Sequence, residues 1–121
     1  MKPDEKKILA IQAAKTAVVQ LAASVATVCA TVQSSGFEPE ISFLAKETSE
    51  LATQASYGAK NASGLNLRDV EQLASSVSRL ANLIMRAKMQ NTLVSNDLVN
   101  RATLAEKDAM EAVSLTQKAK G

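Results

Sequence analysis

The sequence predicts an all-α fold, a small antiparallel four-helix bundle, on three observations. Apolar residues recur at alternating spacings of three and four along most of the chain. Alanine, the best helix former, is the commonest residue, and strand formers other than valine are scarce. Four glycines and two prolines divide the pattern at only a few points. At 121 residues there is room for one core, so 1–121 reads as a single helical-bundle domain.

The first helix opens at Pro3, with Asp4 and Glu5 at the positive end of its dipole. Its seam runs Ile11, Ala14, Val18, Leu21, Val25, Val28 and Val32, a coiled-coil rhythm over three repeats. The helical pattern reaches about Gln33, roughly 45 Å of helix. Ser34-Ser35-Gly36 ends it, Gly36 supplying a left-handed cap. A second helix starts at Pro39, with Ile41, Leu44, Thr48, Leu51, Ala55, Gly58 and Ala62 as its seam and Ser63-Gly64 as its stop. Gly58 costs about 1 kcal/mol relative to alanine, so it marks either close approach of a neighbour or fraying near the helix end.

The third helix has the best local start in the chain. Asn66 is a strong N-cap type, Asp69 follows three residues later, and Leu65 and Val70 occupy the positions of a hydrophobic staple. The seam continues through Leu73, Val77, Leu80, Ile84 and Ala87. A single helix from 67 to 119 would be about 80 Å long, too long for so small a globule to cover. A turn at Gln90-Asn91-Thr92 or Ser95-Asn96-Asp97 is therefore expected, with Ser95 or Asn96 capping a fourth helix. The fourth seam is Leu98, Ala102, Ala105, Ala109 and Ala112, flanked by Val99 and Val113. The rival reading is three long helices stabilised by oligomerisation. Because alanine buries little area and aromatics are limited to Phe37, Phe43 and Tyr57, the monomer should be modestly stable or gain stability by association.

Composition narrows the chemistry. There is no histidine, hence no Ser–His–Asp or Cys–His constellation and none of the commonest metal ligand. Cys29 is alone beside the first seam, so it reads as a small core hydrophobe, in a reducing, cytoplasmic setting. Glu47, Glu50, Glu106, Asp108 and Glu111 fall off the seams and read as solvated. Gly58-Ala59-Lys60 lacks the upstream glycine of a P-loop, and Asn61-Ala62-Ser63 matches a glycosylation triplet short enough to arise by chance. The chain is expected not to be an enzyme and to need no cofactor and no metal. A net charge of +2 exerts no strong pull on nucleic acid or anionic lipid.

Three features point toward partners. Residues 16–37 carry no charge, although a surface helix normally shows charges opposite its apolar stripe. Either the first helix is the most central in the bundle, or it also forms a self-association or partner surface. In the second case Ala22, Ala26 and Ala30, spaced by four, with Cys29 beside them, would admit another helix closely. The Ala17–Val32 run is short of a membrane span and interrupted by Gln20, Ser24, Thr27 and Thr31. Second, Gln72 to Asn96 contains no acid, and Arg68, Arg79 and Arg86, with Lys88 nearby, suggest a stripe for phosphates. No aromatic is interleaved for base stacking, so an ordinary solvated face is favoured there. Third, Leu104 and Leu115 lie on the acidic side of the fourth helix, a candidate docking spot as a pair.

The segment Val18-x-x-Leu21-Ala22-x-x-Val25-Ala26-x-x-Cys29-x-x-Val32 resembles the apolar, Ala-rich helices of talin-rod bundles that bind vinculin. The resemblance covers one helix of four, and Cys29 and Val32 replace the larger aliphatics of that pattern. The expected function is therefore a non-enzymatic interaction or structural module that self-associates, as a homo-oligomer, or docks a partner helix through apolar helix surface. Polyanion binding through the third helix and peripheral membrane binding through the first are the alternatives.

Overall fold

The computed structural model describes residues 3–60, 65–90 and 94–120. Four helices make up the fold: α1 (Pro3–Ser34), α2 (Pro39–Lys60), α3 (Leu67–Gln90) and α4 (Asn96–Lys120). No strand occurs among the described residues. Each helix packs chiefly on two neighbours, in the ring order α1, α2, α3, α4 and back to α1. Short connections make sequential helices antiparallel. Side-chain bonds fix the levels: Cys29 Sγ donates to the Ala45 carbonyl at 3.1 Å and Gln33 Nε2 to the Ser42 carbonyl at 3.0 Å, between α1 and α2. The α3–α4 break is resolved in favour of four helices.

The helix boundaries follow the local chemistry. Acids Asp4 and Glu5 sit in the first turn of α1. At its other end Ser34 and Ser35 hydroxyls donate to the Thr31 carbonyl, at 3.1 and 2.6 Å, and Gly36 adopts φ 70°. That conformation is open to glycine and strained for other residues. Asn66 Oδ1 accepts from the Asp69 amide at 3.3 Å, and the staple residues Leu65 and Val70 are both buried. Ser95, not Asn96, caps α4: its hydroxyl oxygen accepts from the Leu98 amide at 3.0 Å. Gly58 lies half-buried in the last turn of α2. Ala62, Ser63-Gly64, the Asn61-Ala62-Ser63 triplet and Asn91-Thr92 lie outside the described residues.

One core runs the length of the bundle. α1 and α3 contribute most of its bulk, through Val18, Leu21, Val25, Val28 and Val32 and through Val70, Leu73, Val77, Leu80 and Ile84. α2 and α4 contribute mostly alanine: Ala45, Ala52, Ala55 and Ala59 in one, Ala102, Ala105, Ala109, Ala112 and Ala119 in the other. Large side chains on one pair of helices thus interdigitate with small ones on the other. The second seam differs from its sequence reading. After Thr48 the buried positions are 52, 55 and 59, and Leu51 is only half-buried. The straight helix period of 3.6 carries the inward stripe past residue 51.

The buried polar side chains of the described residues all find partners. Thr48, fully buried, donates to the Leu44 carbonyl at 2.7 Å and pairs with the Ser76 hydroxyl at 2.6 Å. Thr116 donates to the Ala112 carbonyl at 2.7 Å. Among the described residues no buried side-chain N or O atom lacks a hydrogen bond.

Candidate interaction face

α1 is not a central helix. The ring leaves one side of it open, and Gln12, Thr16, Gln20, Ala23, Ala26, Thr27 and Ala30 face solvent along that side. Their recurrence at three and four keeps them on one outward strip. Exposed Ile8 and Leu9 extend the strip toward the N-terminus. From Ile8 to Ala30 it is uncharged for about 33 Å. Lys15 lies half-buried on the flank toward α2.

The neighbouring α2 bank carries the aromatics. Of the three aromatic residues only Phe37 packs on the core, while Phe43 is 69% and Tyr57 71% exposed. Between α1 and α2 runs a groove of about 410 Å³, with Val19, Ala22 and Ala26 on one wall and Ala52, Thr53 and Tyr57 on the other. Small residues on both walls hold the two helices close and leave the outer surface shallow. A larger cleft of about 570 Å³ opens at the end of the bundle, under the α1–α2 turn. Glu38, Glu40 and Arg86 share its rim, a mixture of signs that selects no one ligand charge.

The residues singled out from sequence separate in space. Ala26 is exposed and Ala22 half-exposed at the groove, and Ala30 is exposed beyond its end. Cys29 does not join them. It is 4% exposed, turned inward with its thiol on the Ala45 carbonyl. Burial raises the thiol pKa from the usual 9.0 to about 11, against a smaller lowering by the Ser49 backbone amide. So little thiolate exists at neutral pH, and the residue is chemically quiet. Leu104 is 58% exposed, but Leu115 is half-buried and packs on the core, so the two do not form one exposed pair.

Arg68, Arg79 and Arg86 are all exposed and line up on α3, spread over about 27 Å. Lys88 is not part of that stripe. It is half-buried and its ammonium donates to the Val94 carbonyl at 2.6 Å, tying the end of α3 to the start of α4. Glu106 and Asp108 also depart from the sequence reading. Both are half-buried, and they accept hydrogen bonds from Ser78 on α3 at 3.0 Å and Ser24 on α1 at 2.9 Å. Two carboxylates two residues apart on α4 thus clasp its two neighbours. Among the described residues no group of three or more Cys, Asp or Glu side chains is arranged to hold a metal ion.

By length and composition alone α1 is long and apolar enough to cross a membrane, although the uncharged Ala17–Val32 run by itself is short of a span. Apart from the exposed Ile8 and Leu9, its bulky apolar residues face the bundle core, and the face left to solvent is mostly Gln, Thr and Ala. Sequence reasoning missed the outward placement of Phe43 and Tyr57. The available signal was their position off the α2 seam, next to Glu50 and Gln54 rather than beside Leu44 and Thr48. No protein family, curated protein or solved structure matches this chain.

Proposed function

We propose that this protein is a non-enzymatic interaction module whose working surface is the outward face of α1 and α2. One observation carries the reading: a solvent-facing helix strip uncharged for about 33 Å lies beside the groove that the exposed Tyr57 lines. Exposed alanines allow a partner backbone to approach closely, and Tyr57 offers a large, rigid contact of the kind that dominates binding energy. A charged partner strip laid along the α1 strip would lose hydration with no charge facing it between Ile8 and Ala30. The occupant is therefore an uncharged helix face. The buried, unpaired thiol suits a reducing, cytoplasmic setting.

The test is site-specific cross-linking. A photoreactive side chain at Ala23, in the folded chain in extract of its own cells, should give a discrete protein adduct. The same group at Met110, exposed on α4, should not. Loss of the adduct on Tyr57→Ser would place it on the face described. Equal adducts at both positions, or none at Ala23, would reject the reading.

A further inference from the structure

The geometry points to a second copy of this chain as the occupant of the α1/α2 face, packed antiparallel about a two-fold axis. This rests on the interaction reading above and deepens it. The axis crosses the bundle near Val19. The Cys29–Ala45 and Gln33–Ser42 bonds set the levels of α2 against α1, and they put Tyr57 at nearly the same height as Val19. The Tyr57 rings of the two copies therefore meet near the centre of the interface, where anchoring residues have most effect.

Size and charge both match in this arrangement. The strip is graded, with Ile8 and Leu9 at one end and Ala23, Ala26 and Ala30 toward the other. Antiparallel pairing sets Ile8 over the partner's Ala30 and Gln12 over the partner's Ala26, large on small. Parallel pairing would set large on large. The charged residues on or bordering the face are Glu5 and the half-buried Lys15 on α1 and the exposed Lys46, Glu50 and Lys60 on α2. The two-fold brings Glu50 within about 3 Å of the partner's Lys60 along the helix direction, and Glu5 within about 8 Å of the partner's Lys46. Opposite signs meet at both places, twice over by symmetry. A face about 33 Å long and two helices wide covers about 600 Å² per copy, about 1,200 Å² in all, the lower edge of stable interfaces. The dimer is accordingly concentration-dependent.

Sedimentation velocity of the full chain across a hundredfold concentration range tests this. The wild-type chain should shift from monomer to dimer. Ala26→Glu, at an exposed position where helix propensity changes little, should keep its helical circular dichroism and remain monomeric at tenfold higher concentration. A wild-type monomer throughout, or an Ala26→Glu dimer as strong as the wild type, overturns the second-copy assignment. An adduct at Ala23 consisting of a different protein would do the same while leaving the interaction reading intact. Orientation is read in a Cys29→Ala background. Gln12→Cys mixed with Ala26→Cys should form a mixed disulfide under mild oxidation, and Gln12→Cys alone should not, since like positions stand about 21 Å apart. Disulfide formation by Gln12→Cys alone overturns the antiparallel arrangement.

Discussion

The buried hydroxyl pair of Thr48 and Ser76 gives a prediction whose asymmetry comes from the structure. A threonine hydroxyl has one hydrogen, and Thr48 directs it to the Leu44 carbonyl. Ser76 must therefore be the donor in the 2.6 Å bond between them. Thr48→Val keeps the shape but removes the acceptor, leaving a buried Ser76 hydroxyl without its partner, at a cost of about 1–3 kcal/mol. Ser76→Ala leaves Thr48 bonded to Leu44 and should cost about 0.5–1 kcal/mol. The double variant removes both polar groups and should cost no more than Ser76→Ala, a coupling of about 1 kcal/mol or more. Urea unfolding followed by circular dichroism measures all four proteins. A Ser76→Ala loss as large as that of Thr48→Val, or strictly additive losses, would refute the donor assignment and the reasoning from it.

Other expectations follow from burial and capping. Leu21→Ala should destabilise by about 3–5 kcal/mol, since Leu21 is fully buried, whereas Leu104→Ala, 58% exposed, should stay within about 0.5 kcal/mol; chemical denaturation checks both. Ser95→Ala should cost about 1 kcal/mol by removing the α4 cap, seen as a lower urea midpoint with unchanged slope. Cys29 should resist thiol reagents at neutral pH. Its thiol titrates near 9.0 unfolded and about 11 folded, so between those values the unfolded chain has lost more protons. Its contribution is complete below pH 9 and declines as pH rises toward 11, by at most about 3 kcal/mol. Cys29→Ala should lack that share of the alkaline decline, and identical slopes for the two proteins would contradict the account.

Much of the fold was legible because it is written in local chemistry. Gly36, Asn66 and Ser95 each act on backbone groups within a few residues, so the turns they make are determined by near neighbours. The seams of α1 and α4 were legible for the same reason, as every seam position named in α4 is buried. Leu51 was misplaced because a heptad count and the true helix period diverge over two turns, and only packing shows where the stripe goes. From sequence Glu106 and Asp108 look solvated, because an off-seam carboxylate looks the same whether it faces water or a serine on another helix.

The sequence alone determined that the chain is helical, where its first helix ends and its third begins, and most of the apolar residues that turn inward, since helical periodicity and capping operate over a few residues. It also contained the uncharged stretch of α1 without saying whether that stretch was wrapped or open. That was decided by the ring order of the bundle, which gives α1 two neighbours and leaves its third side to solvent. The core position of Cys29 was already readable beside the first seam, whereas the outward aromatics of α2 and the clasp of α4 were decided by tertiary packing. Each depends on which helices meet and at what level, a relation between residues far apart in the chain that no local pattern encodes.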